Sequence, residues 1–202
     1  MRVRQCRGTS LSGLRSWSTP GLRAVLLALC LGTTLTAQQP YKRTVESYSV
    51  PDVVLINQDG ARVALRDLLQ SDKVVVVEFI FGTCTTICPV LSAGYANLQQ
   101  RLGPRSGEVR LVSISIDPEN DSPRVMHEYL KRYRARPGWD FLTGKREDID
   151  RAMRAFSAYI PNKMSHYPLT LIRTPRDGHW IRIFGLMSSS EFLDECRKAG
   201  VQ

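Results

Sequence analysis

Two cysteines four residues apart, Cys84 and Cys88, are the side chains best suited to chemistry in this chain; they lie in Phe81-Gly82-Thr83-Cys84-Thr85-Thr86-Ile87-Cys88-Pro89. Just before them stands Lys73-Val74-Val75-Val76-Val77-Glu78-Phe79-Ile80, a β-branched apolar run of strand length. After them Leu91, Tyr95, Leu98 and Leu102 recur at three- and four-residue steps, which is helical. The pair is therefore expected where a buried strand turns into a helix, sharing one face of the first helical turn. Free N–H groups and the positive end of the helix dipole favour thiolate there. Two thiolates aimed at one point suit a soft metal ion or a reversible disulfide. The bland alternative, two cysteines acting as small hydrophobes, fits poorly with thiols at an open helix start.

One more soft-metal ligand would complete a site, and there are three histidines. His127 falls inside a helix and reads as part of its solvated face. His179 follows the turn Arg176-Asp177-Gly178 and reads as exposed. His166 differs, because its loop Asn162-Lys163-Met164-Ser165-His166-Tyr167-Pro168 leads straight into a buried strand and can return beside the cysteine turn. On residue type and position alone, ligand and non-ligand readings of His166 stand level. Cys196, near the end, reads as a packing residue of a closing helix.

The elements that must position these groups follow from periodicity. Val53 to Ile56 and Arg62 to Leu65 flank Asn57-Gln58-Asp59-Gly60, a hairpin signal. Arg66 to Gln70 is a short helical turn, and Gly103 to Gly107 a loop. Val109 to Ile116 is a strand, followed by a loop through Asp117-Pro118. Ser122 caps a helix with Pro123 at its first position, carrying Val125, Met126, Tyr129, Leu130 and Tyr133. Trp139 to Leu142 is a strand and Arg146 to Tyr159 an amphipathic helix with Ile149, Met153 and Phe156 on one face. Pro168 to Ile172 and Trp180 to Phe184 form a second hairpin. Ser190 to Ala199 closes the chain as a helix capped by Ser189 or Ser190. The order predicts an α/β fold: a central mixed, partly parallel sheet with helices on both faces and an N-terminal β-hairpin. A dithiol at the carboxyl end of a central strand is where such sheets place sites.

Composition sets the remaining bounds. The 202 residues carry a formal charge of +9, but residues 1–37 hold five arginines and no acid, leaving +4 on the rest. A mildly basic domain without a clustered basic stripe does not suggest a nucleic-acid partner. Residues 24–37 (AVLLALCLGTTLTA) follow the arginines and end on small residues. Fourteen residues is short for a membrane span and right for a signal-peptide apolar region. Residues 1–37 thus read as an export signal, cleaved or kept as a membrane anchor; a mitochondrial presequence has a similar composition. Residues 38–48 read as a polar linker and 49–202 as the folded domain. Five scattered cysteines do not make a disulfide framework.

The cysteine turn from Gly82 to Pro89, the stretch Ser113-Ile114-Ser115-Ile116-Asp117-Pro118-Glu119-Asn120-Asp121-Ser122-Pro123, then Leu142-Thr143-Gly144 and finally His166 resemble, in this order, the SCO/SenC family of copper-binding proteins. The likeness covers residues 48 to 196. It implies a thioredoxin-like fold on the outer face of an energy-transducing membrane, in the bacterial periplasm or the mitochondrial intermembrane space. It implies copper, as Cu(I) and Cu(II), bound by Cys84, Cys88 and His166. It further implies a metallochaperone that delivers copper to, or reduces, the dicopper centre of cytochrome c oxidase, with a copper-accepting oxidase subunit or a copper donor as partner. The family's acidic residue before its histidine is replaced here by Ser165, and the loop from Tyr159 is short. Two readings compete with the metallochaperone. One is a thiol–disulfide oxidoreductase using Cys84 and Cys88, against which three intervening residues lean towards metal. The other is a thiol peroxidase, suggested by Thr85 three residues before Cys88.

Overall fold

The computed structural model describes residues 41–201. The expected export signal or anchor at residues 1–37, and the start of the expected linker, lie outside the described residues. The elements in order are β1 (Tyr41–Glu46), β2 (Val54–Asn57), β3 (Arg62–Ala64), α1 (Leu65–Leu69), β4 (Val74–Ile80), α2 (Cys88–Leu102), β5 (Val109–Ser115), α3 (Pro123–Arg132), β6 (Trp139–Thr143), α4 (Arg146–Ala155), β7 (Leu169–Arg173), β8 (Trp180–Gly185) and α5 (Ser189–Ala199). Short 3-10 helices span Gly103–Glu108, where a loop was expected, and Lys163–Ser165.

The strands form one eight-stranded sheet in the order β1-β8-β7-β4-β5-β6-β2-β3. β4 pairs parallel with β5 and β5 with β6, each pair joined by a helix; the remaining pairs are antiparallel. Every residue of β4 is buried, as a central strand covered on both faces demands. On one face lie α2, α3 and α5, with Tyr95 against Trp139 and Phe192 and Tyr129 against Phe141. On the other, Phe79 meets Phe156 at the end of α4, and Phe156 meets Trp180 and Tyr48. The fold is the expected thioredoxin-like mixed sheet, N-terminal hairpin included. In that hairpin Asn57 Oδ1 accepts from the amides of Asp59 and Ala61, and Gly60 takes φ +79°.

Three local expectations are corrected. Residues 41–46, read as linker, are an edge strand. Nothing in their polar pattern announces this; the strand is clamped from α5, where buried Glu195 accepts from Tyr41 Oη (3.3 Å) and Arg43 Nε (2.8 Å). The cap of α5 is Ser188, whose hydroxyl accepts from Glu191 N–H while the Glu191 carboxylate accepts from Ser188 N–H, a reciprocal capping box. And α4 ends at Ala155 rather than Tyr159, because Phe156 turns into the core and Ser157 takes φ +52°. The cap of α3 is Ser122 with Pro123 in its first turn, as expected.

Candidate metal centre

β4 delivers the chain to the site, and Gly82 turns it. The Gly82 amide donates to both carboxylate oxygens of Asp121 at 3.1 Å. A Cβ there would meet Asp121 Oδ1 at 2.7 Å, so the turn has room for glycine only. Asp121 is itself buried and held by the Ser115 hydroxyl. Burial raises its pKa, with the Ser115 and Gly82 donors opposing. The Cys84 amide then closes the turn on Phe81 O at 3.2 Å.

The two cysteines do not share the first helical turn. Cys84 precedes the helix and Cys88 opens it. The residue before Cys88, Ile87, has no capping side chain, and the Cys88 amide points instead at Cys84 Sγ, 3.5 Å away. The Cys84 sulfur thus occupies the place of a helix cap. Thr86 Oγ1 stands 3.6 Å from the same sulfur. Desolvation pushes the Cys84 thiol up, but the donors from Cys88 and Thr86 outweigh it and leave the pKa lowered. Cys88 goes the other way: burial, then the Cys84 thiol hydrogen-bonded to it, raises its pKa far above the ordinary thiol range. The expectation that the helix start would favour thiolate at both positions is therefore half corrected. Both thiols are free.

His166 comes to this pair from the other end of the domain. Its Nδ1 lies 3.8 Å from Cys88 Sγ, 78 residues away in sequence. The 3-10 helix before it is fixed by Asn162, whose side chain accepts from Met164 N–H, and by the ion pair of Lys163 with buried Asp117. The Asp117 carboxylate also accepts from Asn120, so the Asp-Pro loop packs and tethers. The Lys163 ammonium sits 5.4 Å over the Phe81 ring, and His166 meets that ring edge-on at 6.4 Å. Burial lowers the His166 pKa and keeps the imidazole neutral near pH 7, the form that binds metal. Its Nε2 is buried and without a hydrogen-bond partner. The other histidines are elsewhere: His127 faces Asp59 on the α3 surface at 3.6 Å, and exposed His179 stands beside Ser47 at 3.4 Å. Cys196 is fully buried in α5.

These groups are neighbours pairwise; among the described residues no three His, Cys, Asp or Glu side chains form a ready-made metal cage. Their chemistry nonetheless fits a soft ion: one thiol inclined to ionise, one thiol that a metal would have to deprotonate, and a neutral imidazole.

A profile of the SCO1/SenC family matches residues 42–185. The chain belongs to this family. It is 34% identical over 145 residues to the SCO1 protein homolog of Bacillus subtilis, covering 70% of each chain. It is 34% identical over 118 residues to protein SenC of Rhodobacter capsulatus, covering 58% of this chain and 52% of SenC. Among solved structures, BsSco, a Sco-family cytochrome c oxidase assembly protein with a disulfide switch, superposes with a TM-score of 0.65 at 29% identity, over 77% of this chain and 95% of BsSco. Arabidopsis thaliana ScoI, solved with copper bound, gives 0.63 at 27% identity, over 74% and 96%.

One group at this SCO1/SenC site went unremarked in sequence. Glu78, in the middle of β4, is fully buried and accepts from Ser113 Oγ (2.7 Å) and Ser92 Oγ (3.5 Å), one turn beyond Cys88 on α2. Ser92 also meets Tyr129 Oη at 2.9 Å, and the Trp139 indole donates to Ser113. Burial raises the Glu78 pKa to about 8, with the two serine donors opposing. The signal was present: a lone acid inside an otherwise apolar strand.

Proposed function

We propose that this SCO1/SenC domain is a copper chaperone whose cargo is held by Cys84, Cys88 and His166, and that it delivers copper to, or reduces, the dicopper centre of cytochrome c oxidase. The observation that carries the reading is the 3.8 Å approach of His166 Nδ1 to Cys88 Sγ, beside a free Cys84 thiol of lowered pKa. Two thiolates and an imidazole suit three-coordinate Cu(I), and imidazole supports Cu(II) as well. The B. subtilis and Arabidopsis likenesses support the same reading. An exported location on the outer face of an energy-transducing membrane goes with it, as does a copper-accepting oxidase subunit or a copper donor as partner. The test is copper content of the reduced protein. The native chain should bind one copper, and Cys84→Ala or Cys88→Ala should abolish tight binding. His166→Ala should lose the copper(II)–thiolate absorption while still taking up Cu(I), which two thiolates hold almost linearly. Tight stoichiometric copper on either cysteine variant would overturn the assignment.

A second reading draws on the unequal thiols. Cys84 as thiolate would attack a substrate disulfide and Cys88 would resolve the mixed disulfide. The substrate would leave as two thiols while Cys84 and Cys88 became a disulfide. Brisk metal-free reduction of insulin would favour it. The peroxidase reading is weaker, since it needs an ionised Cys88 and burial opposes that.

A further inference from the structure

Glu78 is a buried acid with nothing beside it to balance a charge. Ser92, whose hydroxyl donates to Glu78 Oε1, lies four residues past Cys88 in α2, so Cys88 and Ser92 share one face of that helix. From α2 the carboxyl is faced by Cys88 and Tyr95, from α3 by Tyr129 and from β5 by the Ser113 hydroxyl. Behind these stand Cys196 of α5, close to Tyr95, and the Trp139 indole of β6 on Ser113. On β7 its ladder partner is Thr170. None of these groups is a cation. Glu78 Oε2 is buried and has no hydrogen-bond partner. An ionised carboxylate would leave that oxygen charged, dry and without a donor, and a group so placed keeps its proton instead.

A loaded centre would set a second anion close by. Two thiolates, a neutral imidazole and Cu(I) sum to one negative charge. Cys88 is fully buried and Cys84 nearly so. Lys163, the cation at the cysteine turn, is already paired with Asp117. The Glu78 charge reaches Cys88, being one of the influences that raise the Cys88 pKa after burial itself. Two anions this close in a buried site repel strongly, because the interior screens charge far less than water does.

We propose that Glu78 sets the charge of this centre: only as the neutral acid does it let Cys88 become a thiolate and take copper. The inference rests on the copper-chaperone reading above and adds a positioning residue to it, one that acts through Cys88 and is not itself a ligand. Binding forms two copper–sulfur bonds and sends the thiol protons to solvent. The copper stays Cu(I), so nothing is oxidised or reduced. The coupling is reciprocal. Before copper binds, burial holds the Glu78 pKa at about 8; the negative centre raises it further. Above that pH the protein must take up a proton at Glu78 in order to hold copper, and its affinity falls accordingly.

The test uses the full chain, reduced, with Cu(I) affinity measured against a competing chelator near pH 6.5 and near pH 9, native beside Glu78→Gln. The ratio of affinities, variant over native, should rise roughly five- to tenfold between the two, since a group with a pKa of about 8 is mostly ionised at the higher pH. A residue that merely packs would change both affinities alike and leave the ratio flat. Infrared difference spectra of the native protein keep the test independent of how well the variant folds. Loading with Cu(I) near pH 9 should make a protonated-carboxyl band grow at the expense of carboxylate, and Glu78→Gln should lack that band. A flat ratio, or native protein that binds copper near pH 9 without the band, would overturn the proposal and leave the chaperone reading standing. Native protein that binds no Cu(I) near pH 6.5 would overturn both.

Discussion

Replacing Gly82 by Ala tests whether the cysteine turn is built as described. The new Cβ would lie 2.7 Å from Asp121 Oδ1 and 3.3 Å from Val125 Cγ1. Asp121 has little freedom to retreat, being buried and bonded to Ser115 Oγ and to the Gly82 amide itself. Overpacking of this kind costs about 1–3 kcal/mol. Loosening the two amide–carboxylate bonds adds about 1 kcal/mol, below the 1.5–3 of a full bond to a charged group, because the donor moves rather than disappears. A total of about 2–4 kcal/mol corresponds to a fall in melting temperature of roughly 4–16 °C for a domain of this size. Thermal unfolding followed by circular dichroism reads it. Gly107→Ala is the control, since a Cβ there meets nothing within 4 Å and no positive φ is involved; it should melt with the native protein. A double-mutant cycle sharpens the test. Asp121→Ala should cost less in the Gly82→Ala background than alone, because there it also removes the carboxylate that the new Cβ meets. Strict additivity, or a Gly82→Ala protein melting within a degree of native, would refute the account of the turn.

Other outcomes follow from the same geometry. A ligand that binds only the folded state stabilises it by about 2.7 kcal/mol at a hundredfold excess over its dissociation constant. Cu(I) should therefore raise the melting temperature of the reduced protein by roughly 5–11 °C, and by nothing once Cys84 and Cys88 are joined as a disulfide. The raised pKa of Glu78 gives a pH slope of known sign: the folded protein holds a proton that the unfolded chain releases above about 4.5, so stability falls as pH climbs from there to about 8. Glu78→Gln should match native stability near pH 5 and exceed it near pH 9, by at most about 4–5 kcal/mol; parallel melting curves across that range would dismiss the buried acid. In limited alkylation of the reduced protein, Cys84 should react well before Cys88, since its thiol is both less buried and inclined to ionise; mass mapping of the modified peptide decides it.

What the sequence revealed and what it hid divide along a physical line. The parallel core was legible because Val74–Ile80 and the helical repeat after it bury themselves by local periodicity, whatever the rest of the chain does. The α3 cap at Ser122 was legible because a cap is a contact across three residues. Strand β1 was not, because it is held by β8 and by Glu195, both more than 130 residues away, and its own pattern is polar. His166 stood between: its loop was visible, but its 3.8 Å approach to Cys88 depends on β7 lying antiparallel beside β4.

The cysteine pair shows how a correct motif can carry a wrong local picture. Spacing of four suggested two equivalent thiols on one helical face. The fold breaks that equivalence with a single feature, a helix whose first residue is Cys88 and whose preceding residue, Ile87, cannot cap it. The unsatisfied amide must find an acceptor, and the nearest is Cys84 Sγ. The Cys88 thiol and then this same amide contact lower the Cys84 pKa, while burial raises that of Cys88. Asymmetry between the thiols is thus a consequence of ending a strand and starting a helix within eight residues, and serine at position 84 would keep the cap while losing the chemistry. Cys84→Ser should accordingly retain more stability than Cys84→Ala, by about 0.5–2 kcal/mol, the usual worth of a helix cap. Equal melting temperatures for the two variants would mean that the sulfur is a neighbour of the helix and not its cap.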